Sequence, residues 1–405
     1  MKIDSIKFCE EWLNLLCLEI AQRPVGSPGN QLAVKLFKEQ VEKSGWEVTS
    51  LPFQALDWSQ SGAMLTIDDQ DFAIYPSPYS RGVEIRSELV TAGTVSELEA
   101  LEAAGKILLL TGELTTEQLM PKNFVFYNPE HHQKLVKLLE EKNPAAILSA
   151  TSKNPDLAGG VYPFPLIEDG DFKIPSVYLT EKEGQKLIQL AGQEAKLISR
   201  ARLIPSKGEQ LIARKAGSRA EKIMISAHID AKIETPGAID NATGVIVLLL
   251  LAKALADYQG KYTIELVPFN GEDYFAASGQ MIYLKEYQTQ FENVLFNLNI
   301  DGAGFHQGGS VFSPINLSDS VSRELRIVLA DFSEINLGDP WYQGDHSIFL
   351  QQGVPAVAVT SAWFLEHISD QDITHTPKDH PKIVSCQKVI EIARAVDLFI
   401  RRISN

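Results

Sequence analysis

His228 and Asp230, in the run KIMISAHID, follow a β-branched apolar segment as a His-x-Asp pair, and Asp240 stands twelve residues beyond the histidine, just ahead of an apolar helix. Glu272 and Asp273 follow a second apolar run, Thr263 to Phe269, and Asp301 closes a third, Val294 to Ile300. Three strand ends would thus offer one imidazole and several carboxylates to a single crevice, where open α/β sheets bind their ligands. Carboxylates crowded there without a cation repel one another and lose hydration, so a positive charge should sit among them. Mixed imidazole and carboxylate donors suit zinc, whereas calcium and magnesium favour all-oxygen cages. The chemistry these residues offer is that of a metal ion held among acids at the strand ends.

Each residue also has a bland alternative. A lone His228 would be a hydrogen-bonded core histidine, but Asp230 at i+2 shares its face in an extended segment and can orient the ring. Asp240 alone reads as an N-cap, because Asn241, Ala242, Thr243 and Gly244 open a helix; with two metals about 3.5 to 4 Å apart, its carboxylate can also bridge them. Glu272 and Asp273 read as first-turn acids of the next helix. Adjacent acids point in different directions, so one can ligate while the other handles protons. The late loop THTPKDHP, rigidified by Pro377 and Pro381, adds His375 and His380. His131 and His132 fall in a helix and His306 and His367 in loops, with no role assigned. Trp341, Tyr342, Trp363 and Phe364 are candidates for a pocket wall or for simple packing.

The elements that must position these groups follow from hydrophobic periodicity. Phe8, Trp12, Leu15, Leu16 and Ile20 have helical spacing, Gln31 to Lys43 read as a second amphipathic helix, and a strand is expected at Glu47 to Phe53. From about Gln54 to Arg202, short strand-like runs (AMLTI, KILLL, AAILSA, IPSVYL) alternate with Pro- and Gly-bearing loops around one helix, His131 to Glu141. Beyond Leu203 strands and helices alternate. Strands are expected at Gln210–Lys215, Lys222–Ala227, Thr263–Phe269, Val294–Ile300 and Val354–Thr360, and helices at Gly244–Tyr258, Ser278–Tyr287, Ser320–Phe332 and Ser385–Ile403. Near-continuous apolar strands imply a sheet covered on both faces. The expectation is a three-layer α/β/α domain with a mostly parallel mixed sheet, formed by 1–53 and 203–405, with a smaller β-rich domain inserted at 54–202.

With 405 residues, 44% hydrophobic and 22% charged, the chain has the composition of a globular protein of more than one core. Its net charge of −15, from 52 acids against 37 bases, argues against nucleic-acid or anionic-membrane surfaces. The apolar run Val245 to Leu255 is too short to span a bilayer. Cys9, Cys17 and Cys386 form no disulfide framework or C-x-x-C pair, and the N-terminus lacks a signal-peptide pattern, so a cytoplasmic location is expected.

The segments AHID, AIDNATGV, FNGEDYFAASGQ, NIDGAG and HTPKD, in that order and spacing, resemble the co-catalytic di-zinc aminopeptidases of the clan that includes bacterial leucyl aminopeptidase and glutamate carboxypeptidase II. RPVGSPGN and DHSIFLQQGVPAVAV are similar as well, and GKILLLTGEL, PAAILSA and KIPSVYLT resemble the protease-associated domain some members carry. The resemblance implies one zinc on His228 and Asp301, a second on Asp273 and His375, and Asp240 bridging them. It makes Glu272 the general base and Asp230 the support of His228, acting on peptides with a free N-terminus. Where the family commonly has two glutamates this chain has Glu272-Asp273, so one ligand is a methylene shorter. Three alternatives stay open: a non-catalytic scaffold of the same fold, a glutaminyl-cyclase-like acyltransferase, and a carboxypeptidase or dipeptidase. Two roles stay open for the inserted domain: limiting access to short peptides, or holding copies of the chain together as a homo-oligomer.

Overall fold

A computed structural model describes residues 2–20, 22–153 and 160–404; Met1 and Ala21 of the expected first helix lie outside the described residues. The chain forms two compact units, one of residues 1–55, 207–367 and 373–405, the other of 56–206 and 368–372. The strands Glu47–Ile67 and Glu194–Lys215 each contribute residues to both units, so at these two crossings the chain passes between them within strands. The segment 368–372, which joins the smaller unit, carries no sequence signal of doing so.

In the larger unit the strands Lys222–His228, Thr263–Phe269, Val294–Ile300 and Ala356–Ser361 pair in parallel, in the order 356, 294, 222, 263. The Glu194–Lys215 strand adds antiparallel to Thr263–Phe269 at one side. On the other side Ser310–Ile315 runs antiparallel to Ala356–Ser361, and Ile335–Leu337 follows it. These last two strands, and the short helices His346–Gln351 and Ala362–Glu366, were not anticipated, because each is six residues or fewer. Their order comes from neighbours, since so short a segment has little periodicity of its own.

Alternate residues of the central strand serve opposite faces. Ile223, Ile225 and Ala227 join the core beneath the helices Lys2–Asn14, Pro28–Lys43, Thr243–Ala254 and Cys386–Ser404. Met224 faces the other way, towards Tyr283, whose ring sits among Phe269, Phe291 and Phe349. Thr243–Ala254 is apolar all round and buried at ten of its twelve positions, so it is a core helix whose position is set by packing on every side.

The smaller unit is rich in strands, as expected, and adds an alternation with helices that was not expected. Strands Val83–Ala92, Ile107–Leu110, Ala146–Thr151 and Ser176–Thr180 are parallel neighbours, joined through helices such as Val95–Ala100 and Glu130–Lys142. It is an α/β layer in miniature. The helices Val95–Ala100 and Glu181–Ile188 have six and eight residues, too few to stand out by period.

Candidate metal centre

His228 ends its strand, and the backbone of Asp230, two residues on, sets its ring. Nδ1 lies 3.2 Å from the carbonyl oxygen of Asp230, to which it donates, so the lone pair is on Nε2. That atom is buried and has no hydrogen-bond partner, yet Oδ1 of Asp240 is 2.9 Å away and Oδ1 of Asp301 is 3.5 Å away. An imidazole lone pair aimed between two carboxylate oxygens is the donor set of a metal ligand. The second half repeats the pattern. Nε2 of His375 lies 3.1 Å from Asp240 Oδ2 and 3.3 Å from Asp273 Oδ1. Asp240 therefore presents one oxygen to each imidazole, and the two groups of three donors are each compact enough to hold an ion.

The same carboxylates shift the titration of the imidazoles. Burial works against a charged His228, but Asp301 and Asp240 outweigh it and hold the imidazole pKa well above its ordinary value. His375 is raised in the same way, against burial, by Asp273 and Asp240. Burial pushes Glu272 well above the carboxylate range, opposed by His228 and reinforced by Asp273, Asp301 and Asp345.

Asp230 supports the site differently from the sequence reading. Its carbonyl, not its carboxylate, orients His228; the carboxylate Oδ1 is 3.7 Å from Nδ1. The carboxylate instead accepts the backbone N–H groups of Gly271 at 2.9 Å, Glu272 at 3.3 Å and Asp273 at 3.0 Å. One buried side chain thus shapes the turn that presents both acids. Burial raises its pKa to about 6, although the backbone donors favour the charged form.

Asp240 is not a helix cap. It has φ −118° and ψ 81°, the helix begins at Thr243, and the capping bond is made by Asn241, whose Oδ1 accepts from Gly244 N–H at 3.1 Å. Glu272 and Asp273 likewise precede their helix, which starts at Ser278. His375 has φ 60°, a strained backbone for a non-glycine residue, as ligand clamps tend to carry. His380 caps the short Pro381–Ile383 turn by accepting from Lys382 N–H, and takes no part.

Several supporting residues escaped the sequence reading. Arg23, 1% exposed, donates to the carbonyls of Leu16, Ile229, Pro236 and Gly237, fixing the loop between His228 and Asp240. Gly237 (φ 60°) leaves no room for a side chain, since a Cβ there would be 2.7 Å from the Arg23 guanidinium. Asn30 and Asn270 bond to each other through both amides, at 2.7 and 3.1 Å, bracing the turn before Glu272. Asp379, fully buried, accepts the N–H groups of Ile239 at 2.7 Å and Asp240 at 3.1 Å, and burial raises its pKa to about 7. Asp345 accepts from Gln280 at 2.8 Å, and burial raises it to about 7 as well. Arg23 and Asn30 lie in RPVGSPGN, Asn270 in FNGEDYFAASGQ, Asp345 in DHSIFLQQGVPAVAV and Asp379 in HTPKD, and that resemblance was the sequence signal for them.

Of the four candidate wall aromatics, Trp363 and Phe364 pack with Phe305 at centroid distances of 4.7 and 5.4 Å, and Ile239, beside Asp240, belongs to the same cluster. Trp341 packs on His346, and Tyr342 is exposed.

Residues 210–400 match the model of peptidase family M28. The chain is 23% identical over 366 residues to probable leucine aminopeptidase 2 of Aspergillus oryzae, covering 88% of this chain and 64% of that protein. It is 24% identical over 293 residues to the probable lipoprotein aminopeptidase LpqL of Mycobacterium tuberculosis, covering 69% and 54%. It thus spans less than two thirds of either relative. Among solved structures, an aminopeptidase from Aneurinibacillus sp. strain AM-1 superposes with a TM-score of 0.73 at 21% identity, covering 98% of this chain and 93% of that one. A zinc aminopeptidase from Bacillus subtilis gives 0.73 at 18%, covering 98% and 95%. These likenesses establish the mixed α/β fold. Over residues 210–400, just under half of its length, the chain is similar to peptidase family M28.

Proposed function

We propose that the protein is a zinc-dependent aminopeptidase holding two zinc ions, one on His228 and Asp301 and one on His375 and Asp273, with Asp240 shared between them. The observation that carries this reading is the placement of the two Asp240 oxygens, 2.9 Å from one imidazole and 3.1 Å from the other. Zinc, when bound, lowers the pKa of water and polarises a carbonyl. Glu272 takes a proton from the attacking water and returns it to the leaving amine; its burial, which raises its pKa, favours its holding that proton. Asp230 keeps Glu272 and Asp273 in register through three backbone bonds, and its carbonyl keeps the His228 proton on Nδ1. The acids around the ligands supply negative charge for the substrate's α-ammonium group. The relatives and neighbours named as aminopeptidases support the exopeptidase reading.

We read the smaller unit as protease-associated-like and the location as cytoplasmic. Among the described residues no helix is long and apolar enough to cross a membrane. The test of function is a release assay on matched peptides with free and acetylated N-termini. Release of the first residue from the free peptide alone is expected. Release from the C-terminus would make it a carboxypeptidase, cyclisation of an N-terminal glutamine without release an acyltransferase, and inactivity of the zinc-loaded protein on every peptide a scaffold.

A further inference from the structure

The two halves of the centre differ in what faces their carboxylates. The ion pairs of Asp240 and Asp301 are with the imidazoles His228 and His375, which a metal engages through their lone pairs. Asp273 also faces an ammonium group: Lys232 Nζ lies 3.9 Å from Oδ1, the same oxygen that is 3.3 Å from His375 Nε2. The other oxygen, Oδ2, is taken by the backbone N–H of Lys232 at 3.1 Å. Asp273 is itself anchored by its own N–H on Asp230 and is 4% exposed, so its short side chain has little freedom to offer a second oxygen. A metal on His375, Asp240 and Asp273 must share Oδ1 with, or displace, a resident cation. The Lys232 side chain is 23% exposed, which gives the ammonium a way out to water.

We propose that Lys232 is a built-in competitor for the second metal, making the His375–Asp273 position weak and exchangeable while the His228–Asp301 position stays tight. The inference rests on the metallopeptidase reading and deepens it. Two positive charges a few ångströms apart repel strongly in a partly dehydrated site, so ion and ammonium exclude each other. The chain's loop supplies this cation from within the segment that bears His228 and Asp230, four residues after the histidine. Zinc occupancy at the second position then tracks free zinc, and the first position does not.

The test is titration of the full-length, metal-stripped protein with zinc against a competing chelator, read as the two stepwise dissociation constants, for wild type, Lys232→Met and Lys232→Arg. The wild type should bind its second zinc at least a hundredfold more weakly than its first. Lys232→Met should tighten the second step tenfold or more and leave the first unchanged. Lys232→Arg, which keeps the charge, should stay within a few-fold of wild type. Equal affinities at both steps in the wild type, or a second step unmoved by Lys232→Met, would overturn the inference with the metal centre intact. A wild-type chain that binds no zinc would overturn the metallopeptidase reading and this inference with it.

Discussion

Two clusters of histidine and acid in this chain use the same residue types and differ in one hydrogen bond. In the larger unit, His228 Nδ1 donates to a carbonyl, and its Nε2 is left as a bare, buried acceptor 2.9 Å from Asp240. In the smaller unit, His131 and His132 turn Nε2 towards Glu117 Oε1 at 2.9 and 3.2 Å, also close enough together to suggest an ion. There, however, His132 Nδ1 accepts the backbone N–H of Met120 at 3.1 Å, which puts the ring proton on Nε2. His132 Nε2 is buried without a hydrogen-bond partner just as His228 Nε2 is, but a neutral ring that accepts at Nδ1 carries its proton on Nε2 and has no lone pair there to ligate with. Ligand type alone does not make a metal site; the partner of the distal ring nitrogen decides.

That contrast can be broken by substitution. The largest effect is expected from His228→Ala, which should abolish zinc at the first position and reduce turnover to background, measured as metal per chain alongside release rate. Asp230→Asn keeps the carbonyl that orients His228 but weakens the carboxylate clamp on residues 271–273. A loss of roughly 10- to 100-fold in activity or zinc affinity is expected, the usual range for a residue that orients ligands. At the other end, Glu117→Ala combined with His131→Ala should leave zinc content and turnover unchanged. Loss of a metal equivalent in that variant would show that the smaller unit holds an ion after all.

Protons sharpen the same comparison. In the metal-free protein, His228 and His375 have pKa values raised by their carboxylate partners, and burial raises Asp345 and Asp379 to about 7. Groups raised in the folded state stabilise it fully below their unfolded pKa values, and that stability is lost as pH rises through the folded values. Chelated protein should therefore melt at a lower temperature as pH rises from 5 through 8, given as rough bounds around the histidine and raised-carboxylate range. Zinc binding must expel the same imidazole protons, so it should tighten over that interval, seen as proton release in calorimetry with buffers of different ionisation enthalpy.

Of the proposed ligands, His228, Asp273 and Asp301 were legible because each follows a continuous apolar run, and the strands Lys222–His228, Thr263–Phe269 and Val294–Ile300 end within one residue of where periodicity placed them; His375, in a polar loop, was legible only through the HTPKD resemblance. Asp240 was legible as a candidate but not as a loop residue, because AIDNATG reads equally as a helix entrance. The supports were hidden for a different reason. Arg23 acts on residues more than two hundred positions away, and Asp379 on Ile239 across 140. Such contacts are made by chain topology, which brings the N-terminal segment and the late loop against one crevice, and a linear pattern carries no trace of them. Lys232 was passed over because a lysine in a polar loop ordinarily marks a solvated surface. The alternation of the smaller unit was hidden by helices of six and eight residues.

The most direct test is Glu272→Gln, measured as zinc content and single-turnover release rate on the same sample. Zinc per chain should match wild type while the rate falls by about 10²- to 10⁴-fold, the range expected when a positioned proton carrier is removed. A variant that keeps its rate, or loses rate only in proportion to lost zinc, would contradict the assignment of Glu272 as the base of this centre.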